Sequence, residues 1–291
     1  MRALEDTIVA LGRPVFVRAI GAPSAPKAAI ARWRHGAAVV DVAPSNAIRL
    51  VISLVDGRNA RIRNGGTFAD RVHGGSVSIF SPMEGACVEV SGEADVVQLF
   101  LDQTYAEATL DAPFACPPMF DLRDDRMRTM IMRVLVGTTR REPDDAVMVE
   151  GDLHALALRI ERHATRRRDR IDAPSAMFRG GLPPAAFRRV EAMIETALDE
   201  ASSPTLAEMA DNVGLSVTHF VRSFRQHTGS TPHKYLVRRR MDRAVSLLRV
   251  ARISVGQVAD EAGFSTPAHF VAAFRAAMGV TPGTLREALA G

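Results

Sequence analysis

Up to about residue 115 the apolar positions fall in short β-favouring runs, at Val39–Val42, Ile48–Val55, Ala60–Arg63, Val77–Phe80, Cys87–Val90 and Asp95–Leu101. Turn residues separate them: Asp56-Gly57, Asn64-Gly65-Gly66, Gly74-Gly75, Ser81-Pro82 and Ser91-Gly92. Regularly spaced short strands of this kind predict a small barrel or sandwich. The period then changes. Met127, Met130, Ile131, Val134 and Leu135 share one helical face, and so do Leu153, Leu156, Ala157 and Ile160. Each stripe must bury against something, either the strand domain or a second subunit. From Thr165 to Gly181 the chain is rich in Arg, Pro, Gly and Asp and loses its apolar period, which predicts an exposed linker. After Leu182-Pro183-Pro184 the pattern is helical to the end, opening with an apolar face of Phe187, Val190, Ile194, Ala197 and Leu198.

Within that helical section one pattern occurs twice, from Leu206 to Pro232 and from Val255 to Pro282. Each copy reads as a short apolar helix, a Gly-centred turn, a second helix with Phe at i and i+4, and then Gly-x-Thr-Pro. Ala210, Gly214, Phe220, Phe224, Arg225, Gly229, Thr231 and Pro232 answer to Ala259, Gly263, Phe270, Phe274, Arg275, Gly279, Thr281 and Pro282. A Gly at the turn can take the left-handed conformation that ends a helix, and Ser216, or Ser265 or Thr266 in the second copy, can cap the helix that follows. With the Phe pairs turned inward, the outward residues are Thr218, Val221, Arg222 and Arg225 in one copy and Ala268, His269, Ala272 and Arg275 in the other. This is a repeated helix-turn-helix. Such a helix fits the major groove of DNA, and two held together reach successive grooves about 34 Å apart. The connector from Tyr235 to Arg249 reads as one long helix. Its basic side, Arg238, Arg239, Arg240 and Arg243, is placed to meet phosphates.

Composition changes this picture little. A net charge of +4 permits an anionic partner without requiring one. Cys87 and Cys116 lie far apart with no metal-ligand spacing, which fits two reduced thiols. No apolar stretch is long enough for a membrane span and the N-terminus lacks a signal-peptide run, so a cytoplasmic protein with no membrane partner is expected. His219 and His269 occupy matching places in the two copies and read as helix-surface residues.

Residues 183–291 resemble the DNA-binding domain of the AraC/XylS family of bacterial transcription regulators. The resemblance rests on Leu206-Ala207-Glu208-Met209-Ala210, Val213-Gly214-Leu215-Ser216, Phe220-Val221-Arg222-Ser223-Phe224-Arg225, Gly229-x-Thr231-Pro232-x-x-Tyr235, Arg240-Met241-x-x-Ala244, Gly263-Phe264-Ser265, His269-Phe270, Phe274-Arg275 and Gly279-Val280-Thr281-Pro282. It implies base-reading positions at Thr218, Val221 and Arg222, then at Ala268, His269 and Ala272, with Arg225, Arg239, Arg240 and Arg275 as further DNA contacts. Position 272 is often basic in that family and is Ala here, so the first unit is expected to supply most direct readout.

The expected fold is α+β and multidomain: a cupin-like β-barrel with helices over residues 1–165, a linker over 166–182, and an all-α DNA-binding domain over 183–291. The resemblance implies a small-molecule effector in the barrel, a homodimer, and RNA polymerase as a further partner of a regulator that activates. No cofactor, metal or catalytic residue is expected, since His35, His73, His154 and His163 lack the His-x-His spacing of a catalytic cupin. Trp33, His35, Arg49, Arg61, Arg63 and Arg71 are candidates to line a pocket, and a buried Arg would suit a carboxylate or phosphate; the alternating Arg also fit a solvent face. Two rival readings remain: a cupin-like enzyme with a DNA-binding tail, and a regulator controlled by a protein partner.

Overall fold

The computed structural model describes residues 2–55, 60–64, 67–69, 72–114, 116–140, 142–172, 181–249 and 253–290. The chain divides into two compact units, residues 1–172 with 278–291, and residues 173–277.

Among the described residues of the first unit, ten strands form two antiparallel sheets. They are β1 (Phe16–Ala22), β2 (Ala25–His35), β3 (Ala38–Val42), β4 (Ala47–Ser53), β5 (Ala60–Asn64), β6 (Thr67–Ala69), β7 (Val77–Phe80), β8 (Ala86–Val90), β9 (Ala94–Asp102) and β10 (Met119–Leu122). The larger sheet has the order β1-β2-β9-β4-β7-β10 and the smaller β3-β8-β5-β6. Among the described residues the two sheets do not join into one closed barrel. Val40, Val42 and Ile62 of the small sheet pack with Phe80 of the large one. This apolar layer holds the sheets face to face.

Helix α1 (Arg2–Leu11) covers one end of that layer, where Ala3, Leu4, Ile8 and Leu11 pack on Trp33 and Phe100. After β9 come α2 (Gln103–Leu110), α3 (Asp125–Arg140) and α4 (Pro143–Asp172). Met127, Ile131, Val134 and Leu135 on α3 are buried, as are Leu153, Leu156, Ala157 and Ile160 on α4. The two apolar stripes therefore find cover within the unit, where α3 and α4 pack on one another. Asp124 fastens the pair. One carboxylate oxygen accepts the Met127 N–H at 3.0 Å and the other accepts Arg159 Nε at 2.6 Å, with a His163 ring nitrogen 2.6 Å away. Residues 166–172, expected as linker, continue α4; residues 173–180 of that segment lie outside the described residues. No helix among the described residues is long and apolar enough to cross a membrane.

The second unit is helical: α5 (Pro184–Asp199), α6 (Leu206–Asp211), α7 (Val217–Thr228), α8 (Pro232–Leu248), α9 (Val255–Glu261) and α10 (Pro267–Met278). Its first core joins Val190, Ile194 and Leu198 of α5 to Met209, Ala210, Phe220, Phe224 and Tyr235. The chain ends in α11 (Pro282–Ala290), which packs on α3.

Candidate nucleic-acid interface

Local sequence fixes each helix-turn-helix. Thr205 accepts from the backbone N–H of Glu208, whose carboxylate accepts the Thr205 N–H in return. Ser254 and Gln257 repeat this reciprocal cap at the start of α9. Two orphan donors are thereby satisfied at each helix start, which lets helices this short begin at a fixed residue. At the turns, Gly214 and Gly263 have φ of +69° and +77°. Left-handed backbone there lets the chain reverse without Cβ strain. Ser216 caps α7, and Thr266, rather than Ser265, accepts from the His269 N–H at the start of α10.

Phe220, Phe224, Phe270 and Phe274 are fully buried. Burying one face of a helix leaves the opposite face to solvent. On α7 that face carries exposed Thr218, Arg222 and Arg225, with Val221 half-buried. On α10 it carries exposed Ala268, His269, Ala272 and Arg275. The spacing i, i+4, i+7 of Thr218, Arg222 and Arg225 recurs in Ala268, Ala272 and Arg275 and puts each set in one row. The rows differ in chemistry. The first offers a hydroxyl and two guanidiniums; the second offers two methyl groups and one guanidinium.

Arg239, Arg240 and Arg243 of the connecting helix have partners within the helical unit. Arg239 is only 6% exposed and donates to Glu195 Oε1 through Nε at 2.9 Å and NH2 at 2.6 Å. It is a buried cation that ties α8 to α5. Arg240 is half-buried, and burial lowers its pKa. It donates to Ser202 O at 3.3 Å and to Ser203 Oγ, and its guanidinium carbon lies 5.7 Å from the centre of the Phe264 ring. It therefore braces the loop before α6 against the turn of the second unit, where phosphate contact had been expected. Arg243 donates to Asp199 Oδ1 at 2.8 Å and to Glu261 O at 2.9 Å, a second brace of the same kind. Sequence shows a row of Arg on α8. It does not show that Glu195, Asp199 and the Glu261 carbonyl, distant along the chain, converge on it.

A helix-turn-helix domain family matches residues 209–288. The HTH-type transcriptional regulator GlxA of Rhizobium meliloti is 35% identical over 103 residues, covering 35% of this chain and 30% of that protein. The HTH-type transcriptional activator RhaS of Escherichia fergusonii is 39% identical over 79 residues, covering 27% and 28%. The C-terminal segment is an AraC-type helix-turn-helix domain. The match thus spans less than a third of the length of these curated relatives. Among solved structures, a transcriptional regulator from Chromobacterium violaceum, described by its AraC-type DNA-binding domain, is 28% identical over 35% of this chain and 89% of its own, with a TM-score of 0.33. The DNA-binding domain of AdpA in complex with a target DNA is 29% identical over 34% and 89%, with a TM-score of 0.31.

Of the pocket candidates, His35 and Arg49 line a cavity between the two sheets. Trp33 is buried beside it against Phe100. Arg61 and Arg63 point to solvent, and Arg71 lies outside the described residues.

Proposed function

We propose that this protein is a sequence-specific DNA-binding transcription regulator. The observation that carries the reading is the pair of outward rows on α7 and α10, held by one shared helix within an AraC-type domain. Thr218, Val221 and Arg222 read bases in one major groove, Arg offering bidentate contact to guanine. Ala268 and Ala272 face the next groove with methyl groups suited to thymine, and His269 adds one hydrogen-bonding ring. Arg225 and Arg275 contact phosphates. The chemical asymmetry makes the first half-site the sharply specified one, while the second contributes affinity through backbone contacts and DNA shape.

The regulator works in the cytoplasm as a homodimer, and its N-terminal unit is a cupin-like domain that answers a small effector. Activation is favoured by the likeness to RhaS, an activator by name. RNA polymerase is then a further partner.

Genome-wide mapping of bound DNA, wild type against Arg222→Ala, tests this reading. Discrete promoter peaks in the wild type that vanish in the variant are expected. Peaks unchanged by Arg222→Ala would remove α7 as the reading helix. Selection of binding sites from random DNA tests the asymmetry: a second half-site more sharply specified than the first would overturn it.

A further inference from the structure

The cavity between the sheets measures about 90 Å³. A water site needs roughly 10–15 Å³ by this measure, so the space suits a molecule of several heavy atoms. The small sheet contributes an aliphatic wall, including Val40, Val42, Ile62 and Val88. The large sheet contributes Arg49 and Gln98, each only 5% exposed. Arg49 pairs with Phe100 across the β4–β9 ladder, and Gln98 pairs with Val51, so the two polar side chains are diagonal neighbours on one face.

Both are incompletely satisfied. Arg49 Nε and Gln98 Oε1 are buried without a hydrogen-bond partner. Arg49 NH2 reaches Ala3 O at 3.3 Å, and its guanidinium carbon lies 5.3 Å from the centre of the Phe100 ring. It forms no ion pair among the described residues. Burial lowers its pKa to about 10, with the Asp6 charge opposing the fall, so it stays charged at neutral pH. A buried guanidinium with an unpartnered N–H and no ion pair, beside a buried acceptor lacking a donor, is costly to the fold unless something supplies the missing partners. Arg49 is the only Arg or Lys among the described lining residues, which also include the Glu93 carboxylate, and this charge balance matches a monoanion better than a phosphate dianion.

We infer that this cavity binds a short-chain 2-hydroxy carboxylic acid, with its carboxylate on Arg49, its hydroxyl donating to Gln98 Oε1 and its hydrocarbon tail between the sheets. The inference rests on reading the N-terminal unit as the effector domain, and it names the effector's chemical class.

The test uses the full chain without DNA and 2-hydroxyhexanoate as probe. Binding is read by calorimetry and by the fluorescence of Trp33, the only tryptophan, which packs edge-on to Phe100 with ring centres 6.2 Å apart. The hydroxy acid is expected to bind about tenfold tighter than hexanoate, and hexanamide more weakly still. Arg49→Met is expected to weaken the acid at least about tenfold. Gln98→Leu is expected to bring the two acids level. Val42→Phe, which fills the cavity from the opposite sheet and leaves Arg49 in place, is expected to abolish binding and decides the matter should Arg49→Met fail to fold. Absence of binding to the wild type, equal binding of acid and amide, or full binding by both Arg49→Met and Val42→Phe overturns the proposal. Operator occupancy is measured separately. Failure of the acid to bind while promoters are still occupied leaves the regulator reading standing. Binding with no change in occupancy leaves the cavity assignment standing and removes its effector role.

Discussion

Arg225 and Arg239 belong to the same helical unit and meet opposite environments. Arg225 is exposed beside Arg222 on the outward row of α7, whereas Arg239 is buried with two of its nitrogens donating to Glu195. Their substitutions therefore separate. Arg225→Ala should leave thermal stability nearly unchanged and lower the slope of log K against log salt by about one, the signature of one lost phosphate contact. Arg239→Met should leave that slope unchanged and reduce stability by about 1–3 kcal/mol, because Glu195 loses a charge-assisted partner. Salt titrations of DNA binding alongside thermal melts check both. A lowered slope in Arg239→Met would return that residue to the DNA interface. The sequence cannot distinguish these two arginines, because charge and helical position are alike; the difference is made by Glu195 on a separate helix.

Among the elements, the α3–α4 pair hangs on Asp124, which starts one helix and receives two side chains of the other. Burial alone would raise its pKa, but hydrogen bonds from His163, Arg159 and the Met127 N–H outweigh that and hold it well below the usual carboxylate range. The folded carboxyl thus protonates at lower pH than the unfolded one. Its contribution is complete above the unfolded value of about 3.9 and fades as pH falls below it. Asp124→Asn should cost about 3 kcal/mol at neutral pH. The difference from wild type should shrink as melts are taken from about pH 5 down to about pH 2; a gap constant across that range would mean the carboxylate charge is not what matters. Elements with strong patterning were legible: five of the six runs read as strands lie wholly in strands, the sixth, Ile48–Val55, outruns β4 by two residues, and both helical stripes lie on buried helix faces. Strands β1 and β2 were not, because Phe16–Ala22 and Ala25–His35 hold many Ala and few β-branched residues. Arg49 was legible as a candidate, yet its missing partner was not, since that depends on what the opposite sheet leaves unfilled.

Taken whole, the chain carries separate cores in its two units, and its single tryptophan, Trp33, reports only the first. Urea unfolding followed by Trp fluorescence and by far-ultraviolet circular dichroism should give curves that do not coincide, since the helical second unit contributes only to the latter. Bound DNA should shift only the transition that fluorescence misses. Superimposed curves would show that the units unfold as one. The shared helix has a consequence for the genome. Helix α8 runs for 17 residues, about 26 Å, and Arg240 and Arg243 brace both of its flanks. Spacing between the two recognition helices is therefore set by the protein and is not open to adjustment at the DNA. Inserting one base pair between half-sites turns one by about 35° relative to the other. Promoters that drift under this regulator can exchange letters beneath the methyl-lined second helix, but they cannot gain or lose one: aligned operators should vary in spelling and keep their length.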